Sequence, residues 1–350
     1  MKVLGIETSC DECAAAVVED GRNVLSNVVA TQIPFHAAYN GVVPEIASRM
    51  HTEWIYGVVE EAVRQAGLKP DRIDGVGVTS RPGLLGSLLV GLSFAKAFAW
   101  ARNIPFITAD HLLAHLYASR LADTAGAACP PPAYPFLGLL VSGGHTMMCR
   151  ADDFDRITVL GTTIDDAVGE AFDKVSCYYG MGYPGGAAID RLSQEGDPEA
   201  FRFPLPKIKG GHRYDFSYSG LKTAAVNQLD LFRVRGRGEP DTKDAIKDIA
   251  ASFQKAAVDI LLRSLFRAVE DTGLTTVVSG GGAAANSYLR GRLAAVPGLR
   301  SIFPPLGFCG DNGAMIAGIS YHYLLRGDRS PLAAGASPNA GRRRAPSGGL

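Results

Sequence analysis

The sequence predicts an α/β protein made of two similar lobes that face one ligand cleft. Three observations predict it. An apolar strand at residues 3–6 ends in polar Glu7-Thr8-Ser9, and a second apolar run follows at 14–18. The arrangement restarts at 136–141, a strand that ends in Ser142-Gly143-Gly144 and leads to another from about 145 to 150. A strand at 275–278 likewise ends in Gly280-Gly281-Gly282. Open α/β sheets collect ligands at the carboxyl ends of their strands, so polar strand ends in both halves imply a shared cleft.

The elements follow in order. Asp20-Gly21 is a hairpin signal between the runs at 14–18 and 24–29. Trp54, Ile55, Val58, Val59, Ala62, Val63 and Ala66 recur at helical spacing, and Gly67 stops that helix. Residues 75–78 form a strand, punctuated by Pro82-Gly83. The apolar window 84–101 contains Gly86, Ser87, Gly91, Ser93 and Lys96, which mark a buried helix in place of a membrane span. Residues 104–108 are a strand, and Asp110 caps a helix that begins at His111. Ile246, Ile249, Ala250, Phe253, Ala257, Ile260 and Leu261 mark a long amphipathic helix. Helices follow at 283–293 and 312–325. The predicted lobes are 1–108 and 109–311, with an insertion at about 196–240 that lacks a clear period. The closing helix 312–325 packs back on the first lobe, and 327–350, rich in Ala, Gly, Ser, Pro and Arg, is predicted to be disordered.

Composition narrows the function. The 350 residues carry 35 basic and 35 acidic side chains, so no global field gathers nucleic acid; such binding needs a local patch or a partner. Six scattered cysteines include one CxxC, Cys10 and Cys13, with no second pair to complete a zinc knuckle. An acidic residue, Glu7, interrupts the first apolar run, which excludes a signal peptide and implies a reducing cytosol.

Several residues can carry chemistry. Glycines in Ser142-Gly143-Gly144-His145-Thr146 let backbone N–H groups approach a phosphate, or form a tight hairpin. Ser279-Gly280-Gly281-Gly282 repeats the design, as for a nucleotide clamped from two sides; neither loop is a GxxxxGK[ST] P-loop. His111 and His115, four apart on a helix, share one side and either hold a metal or are structural. A zincin protease needs Glu directly after the first His, and here stands Leu112. Asp311 offers a third ligand. Glu7, Asp11 and Glu12 crowd the first loop, as cation ligands, as bases or as a solvated turn. Asp165, Asp166, Glu170, Asp173 and Lys174 read as partners of a helix dipole. The basic stretches 207–213, 233–237 and Arg342-Arg343-Arg344 contact phosphates or are solvated loops.

The ordered motifs Gly5-Ile6-Glu7-Thr8-Ser9-Cys10-Asp11-Glu12, Gly41-Val42-Val43-Pro44-Glu45, His111-xxx-His115, Leu140-Val141-Ser142-Gly143-Gly144-His145-Thr146, Asp165-Asp166-Ala167-xx-Glu170-Ala171-Phe172-Asp173-Lys174, Tyr183-Pro184-Gly185-Gly186, Phe216-Ser217-Tyr218-Ser219-Gly220-Leu221-Lys222-Thr223 and Asp311-Asn312-Gly313-Ala314 resemble the TsaD family, the tRNA adenosine threonylcarbamoyltransferases. The resemblance spans residues 2–325. It implies an actin-like, Hsp70-like two-lobe ATPase fold. It implies transfer of threonylcarbamoyl from threonylcarbamoyl-AMP to N6 of adenosine 37, in tRNAs that read codons starting with A. It implies a metal, iron first and zinc as the alternative, on His111, His115 and Asp311. It assigns the adenylate to Leu140, Val141, Ser142, Gly143, Gly144, Asp173, Gly186, Asp190 and Asn286. It implies a paralogous TsaB-type subunit and a small TsaE-type ATPase as partners and a cytoplasmic enzyme with no membrane contact; the helices around 45–66 and 84–100, apolar and rich in small residues, are the expected docking face for the first.

The chain departs from the family pattern at Cys13, Arg81, Leu113, Ala284 and Gly310, which touches rate and partner contacts more than reaction type. The exocyclic adenine amine is a poor nucleophile, and Asp11 or Glu12 is the expected catalytic carboxylate that takes its proton. Two other classes fit the fold. A small-molecule kinase would leave the paired histidines without a role, and a non-catalytic scaffold would have lost the metal ligands.

Overall fold

The computed structural model describes residues 1–39, 41–122, 131–206, 208, 212–234 and 243–340. Val3, Leu4 and Ile6 are fully buried in β1 (Lys2–Glu7), the centre of a five-stranded sheet. β2 (Glu12–Glu19) pairs antiparallel with β1, and β3 (Asn23–Thr31) antiparallel with β2. A short α1 (Ile33–His36) precedes α2 (Pro44–Gln65). β4 (Gly75–Arg81) then lies parallel to β1, α3 (Leu85–Arg102) follows, and β5 (Phe106–Asp110) lies parallel to β4. Strands buried on both faces read as near-continuous apolar runs, as β1, β2 and β4 do. Ile55, Val59 and Ala62 of α2 and Leu92 and Ala95 of α3 pack with Ile6, Val17 and Val78 of the sheet. α4 (His111–Tyr117) begins where β5 ends, because Asp110 accepts hydrogen bonds from the N–H groups of Leu112 and Leu113.

A second sheet repeats this topology. β6 (Phe136–Val141), β7 (Thr146–Ala151) and β8 (Ile157–Thr162) form an antiparallel meander. α5 (Val168–Tyr179), α6 (Gly185–Ser193), α7 (Ser219–Val234) and α8 (Lys243–Thr272) intervene before β9 (Thr276–Gly280), which lies parallel to β6. α9 (Ser287–Ala294) leads to β10 (Arg300–Ile302), parallel to β9. Read from the meander edge, both sheets run third, second, first, fourth and fifth strand of their set.

α10 (Gly313–Arg326) returns to the first sheet, where it packs on β1, β2, β4, β5 and α4. Its approach depends on missing side chains. A Cβ on Gly5 would collide with the backbone of Gly313 and Ala317, and one on Gly313 with the backbone of Ala15 and Ala16.

Two compact units result, Met1–Ala133 with Pro304–Arg342, and Tyr134–Phe303. The division therefore falls between Ala133 and Tyr134, and not near residue 109. β5 pairs with β4, and α4 packs under α10, so both belong with the first sheet. The region at 196–240 contains the helix α7, although its sequence shows no clear period. The segment after α10 is also more ordered than its composition implies: Ser330 N donates to Phe106 O at 3.0 Å, Ser337 N to Ser80 O at 2.9 Å, and Lys96 Nζ to Ala334 O at 2.5 Å. The predicted helix 283–293 is broken: a 3-10 turn at Gly282–Ala285 precedes α9, and Asn286 caps that helix.

Candidate metal centre and adenylate site

His111 opens α4 and His115 stands one turn later, so the two rings lie 4.5 Å apart, centre to centre. Asp311 sits just before Asn312, whose side chain caps α10 by accepting from Met315 N. Its Oδ1 lies 3.0 Å from His115 Nε2 and 3.6 Å from His111 Nε2. One ligand atom from each of the three falls within 4.8 Å of the others. The first loop supports this set. Glu7, fully buried, places Oε2 3.0 Å from His111 Nδ1, and accepts from Thr79 Oγ1 at 2.5 Å and, through Oε1, from Ser9 N at 2.6 Å. A carboxylate on the far nitrogen of a ligating histidine fixes the tautomer, leaving Nε2 for a metal.

The electrostatics fit a cation. Burial alone would depress His111, but the negative charges of Asp311, Glu7 and Asp110, with the Glu7 hydrogen bond, push it up to about 9. Burial raises Glu7, yet the charge and hydrogen bond of His111 hold it below the usual carboxylate range. Two imidazoles and a carboxylate in a negative field suit a divalent ion such as zinc or iron(II), so the residues present fit a divalent metal. Asp11 and Glu12 lie on the same loop. Burial, then the negative charges of Asp311 and Asp11, push Glu12 up to about 10.

The residues assigned to the adenylate all belong to the other unit. Leu140 and Val141 end β6 fully buried, backbone included, so neither presents an exposed atom at the strand end. Ser142 N donates to His145 O at 2.8 Å and closes the turn, while Gly143 and Gly144 face open space. Gly281, at φ 93, lies against the end of β6, where a Cβ would meet the Val141 carbonyl. The two glycine turns are thus neighbours. Gly169 N, in the first turn of α5, donates to Ser142 O at 3.2 Å. One turn later Asp173 Oδ1 accepts from Gly185 N at 2.7 Å, which puts Gly186 at the opening of α6. Asp190 of α6 accepts from Asn286 Nδ2 at 3.3 Å and from Ser287 Oγ at 2.8 Å. The structure so links all nine positions through α5, α6 and the two turns.

Sequence reasoning missed one connection. Asp165 and Asp166 are not dipole partners of the next helix. Asp165 accepts from Ser217 Oγ at 2.5 Å, Tyr218 N at 2.8 Å and Ser219 Oγ at 2.8 Å, and Asp166 pairs with Lys174 and Lys222. Two of the quoted motifs are therefore one structure. The acids Asp165 and Asp166 of the first motif and the hydroxyls and Lys222 of the second are complementary, and that is the one signal the sequence carries. Lys207, Lys209, Arg235, Arg237 and Arg342-Arg343-Arg344 lie outside the described residues, as do the side chains beyond Gln228 in α7.

Two sheets of this order, each with a glycine turn or a polar loop at its strand ends, and a His–His–carboxylate centre define an actin-like α/β protein with a metal site. Solved structures agree on the fold. The HypF of T. kodakarensis matches with a TM-score of 0.59 at 13% identity, over 93% of this chain and 48% of its own. Component A of the Acidaminococcus fermentans (R)-2-hydroxyglutaryl-CoA dehydratase matches with 0.54 at 13%, over 93% and 99%. Residues 23–318 match the family described as TsaD: tRNA N6-adenosine threonylcarbamoyltransferase. A Treponema denticola protein of that name is 60% identical over 338 residues, 96% of each chain. One from Borreliella burgdorferi is 49% identical over 333 residues, 95% of this chain and 92% of its own. The chain belongs to this family, and it is a transferase.

Proposed function

We propose that the chain moves the threonylcarbamoyl group from threonylcarbamoyl-AMP to N6 of adenosine 37, in tRNAs that read codons starting with A, releasing AMP. The observation that supports this reading most is the His111–His115–Asp311 set with Glu7 behind His111, in a member of this family. Held by those three residues, a divalent metal, iron(II) first and zinc(II) second, supplies Lewis-acid polarisation of a carbonyl.

The protein's own groups do the rest. Glu7 keeps the His111 proton on Nδ1. The turn Ser142-Gly143-Gly144 offers backbone donors to the phosphate, and Asp173, Gly186, Asp190 and Asn286 hold the remainder of the adenylate. As the N6–carbonyl bond forms and the carbonyl–phosphate bond breaks, Asp11 or Glu12 takes the amine proton. AMP leaves as a weakly basic phosphate. Adenosine 37 lies in a single-stranded loop, where a base is unstacked cheaply.

The chain works with a paralogous subunit and a small ATPase in the cytoplasm. The first docks on α2 and α3, where Tyr56, Leu85, Leu89 and Trp100 are exposed. No described helix is long and apolar enough to cross a membrane. A nucleoside digest of tRNA incubated with the chain, threonylcarbamoyl-AMP and these partners tests the reading. It should contain threonylcarbamoyladenosine; its absence overturns the proposal.

A further inference from the structure

Arg263 and Arg267 stand one turn apart on α8 and line a cavity of ≈ 330 Å³ in the second unit. His212 and Arg213 face them across it, and Ile260 and Ser264, both buried, form part of its wall. The single acid of the lining, Asp215, is committed to the backbone. Its Oδ1 accepts from Thr162 N at 3.0 Å and its Oδ2 from His212 N at 3.1 Å, which fixes the turn that carries His212 and Arg213. Arg213 pairs with Asp271 at 3.2 Å, and Arg267 Nη1 donates to Arg213 O at 3.4 Å. Those contacts give two arginines a structural role. Arg263 has no partner among the described residues.

We propose that this cavity binds a backbone phosphate of the tRNA substrate. The inference rests on the tRNA reading above and adds the place where the RNA is held. Three guanidiniums around one concavity present planar forks that match phosphate oxygens. Among the described residues the lining holds no aromatic ring besides His212, so these residues offer little on which a base stacks. It recognises charge and not sequence, as a positioning contact does. A chain with 35 basic and 35 acidic residues has no general attraction for a polyanion, so a local cluster of three arginines is what it can offer. The arginines are exposed at the surface, where a large RNA reaches them.

The test uses the full chain and a tRNA transcript that reads a codon starting with A, with affinity measured by fluorescence anisotropy across a salt series. In the double variant Arg263→Gln, Arg267→Gln, the slope of log affinity against log salt should become shallower by about 1 to 2, and affinity at low salt should fall about tenfold. Threonylcarbamoyl-AMP binding should not change, and Arg263→Lys should keep most of the slope. An unchanged slope and affinity in the double variant overturns the proposal. So does a loss confined to inorganic phosphate, titrated alone, with tRNA binding intact, because the cavity then serves a free anion. A loss of tRNA binding that tracks a fallen melting temperature and is not reversed by lysine overturns it too. If the wild type binds tRNA through these arginines but forms no threonylcarbamoyladenosine with its partners, the transfer reading fails and the phosphate site stands.

Discussion

Glu7 Oε2 lies 3.0 Å from His111 Nδ1, although 104 residues separate them in sequence. β1 delivers the acid and the end of β5 delivers the histidine. The other ring is not held this way: His115 Nδ1 is buried with no hydrogen-bond partner among the described residues. Orientation of the His111 ring thus depends on Glu7, with Ser9 Oγ 3.3 Å from the same nitrogen. Glu7→Gln keeps the volume and removes the charge. It should weaken metal binding about 10- to 100-fold, measured by competition with a chromophoric chelator, while the melting temperature changes little. Equal affinity in the variant would remove Glu7 from the centre.

The His111→Ala, His115→Ala double variant tests the ligands themselves. Bound metal, read by elemental analysis after dialysis, should fall to background and transfer should stop. The fold should persist at a stability cost of about 1–3 kcal/mol, because two buried polar rings are lost from one helix. Full metal content in this variant would end the assignment.

Local features were legible in sequence and distant ties were not. The i, i+4 spacing of His111 and His115 and the Asp110 cap are encoded within one segment, so they read directly. Glu7 meets His111, and Asp165 meets Ser217 and Ser219, only through sheet and helix neighbours that no local window shows. β10 has three residues and β8 is partly solvated, so neither gave a strong apolar run. The sequence places the lobe boundary too early because β5 looks like the end of a unit, while the partner that completes the unit, α10, lies about two hundred residues further on. The segment 328–340 looked disordered by composition, yet its backbone bonds the chain at Phe106 and Ser80.

Gly143 faces open space, so a Cβ there meets no protein atom within 4 Å. Gly143→Val should therefore leave the melting temperature nearly unchanged. It should weaken threonylcarbamoyl-AMP binding at least about tenfold, since the Cβ branches occupy the room a phosphate needs beside the backbone donors. Calorimetric titration reads this directly. Unchanged affinity would make the turn a purely structural hairpin.

Asp165 joins the start of α7 to the loop after β8. Burial raises its carboxyl, but hydrogen bonds from Ser217, Tyr218 and Ser219 outweigh this and hold it below the usual range. A lowered folded value means that the stabilisation is present above the unfolded value of about 3.9 and is lost as pH falls through the folded one. Asp165→Asn should cost about 1 kcal/mol at neutral pH, because hydrogen bonds to a carboxylate become weaker bonds to a neutral amide, and should flatten the acid limb of a melting-temperature profile. A variant with the wild-type acid profile would show that the ties contribute nothing.

Tyr56, on α2, is 66% exposed and Trp100, on α3, is 75% exposed, while Val59, Val63, Phe94 and Phe98 line a groove of ≈ 480 Å³ between the same helices. Large apolar residues clustered at a surface mark an interaction face, and the neutral charge of the chain means that apolar contact rather than steering would hold a partner there. Tyr56→Glu with Leu89→Glu places two charges on that face without touching the metal or adenylate residues. The isolated variant should keep its melting temperature, its metal and its adenylate affinity. Light scattering should show that it no longer assembles with the paralogous subunit, and tRNA digests should show the modification rate falling about tenfold or more, to that of the single chain. If the wild-type chain alone already modifies tRNA at the rate of the assembled proteins at physiological salt, or if the double variant assembles normally, the dependence on a partner at α2 and α3 is refuted.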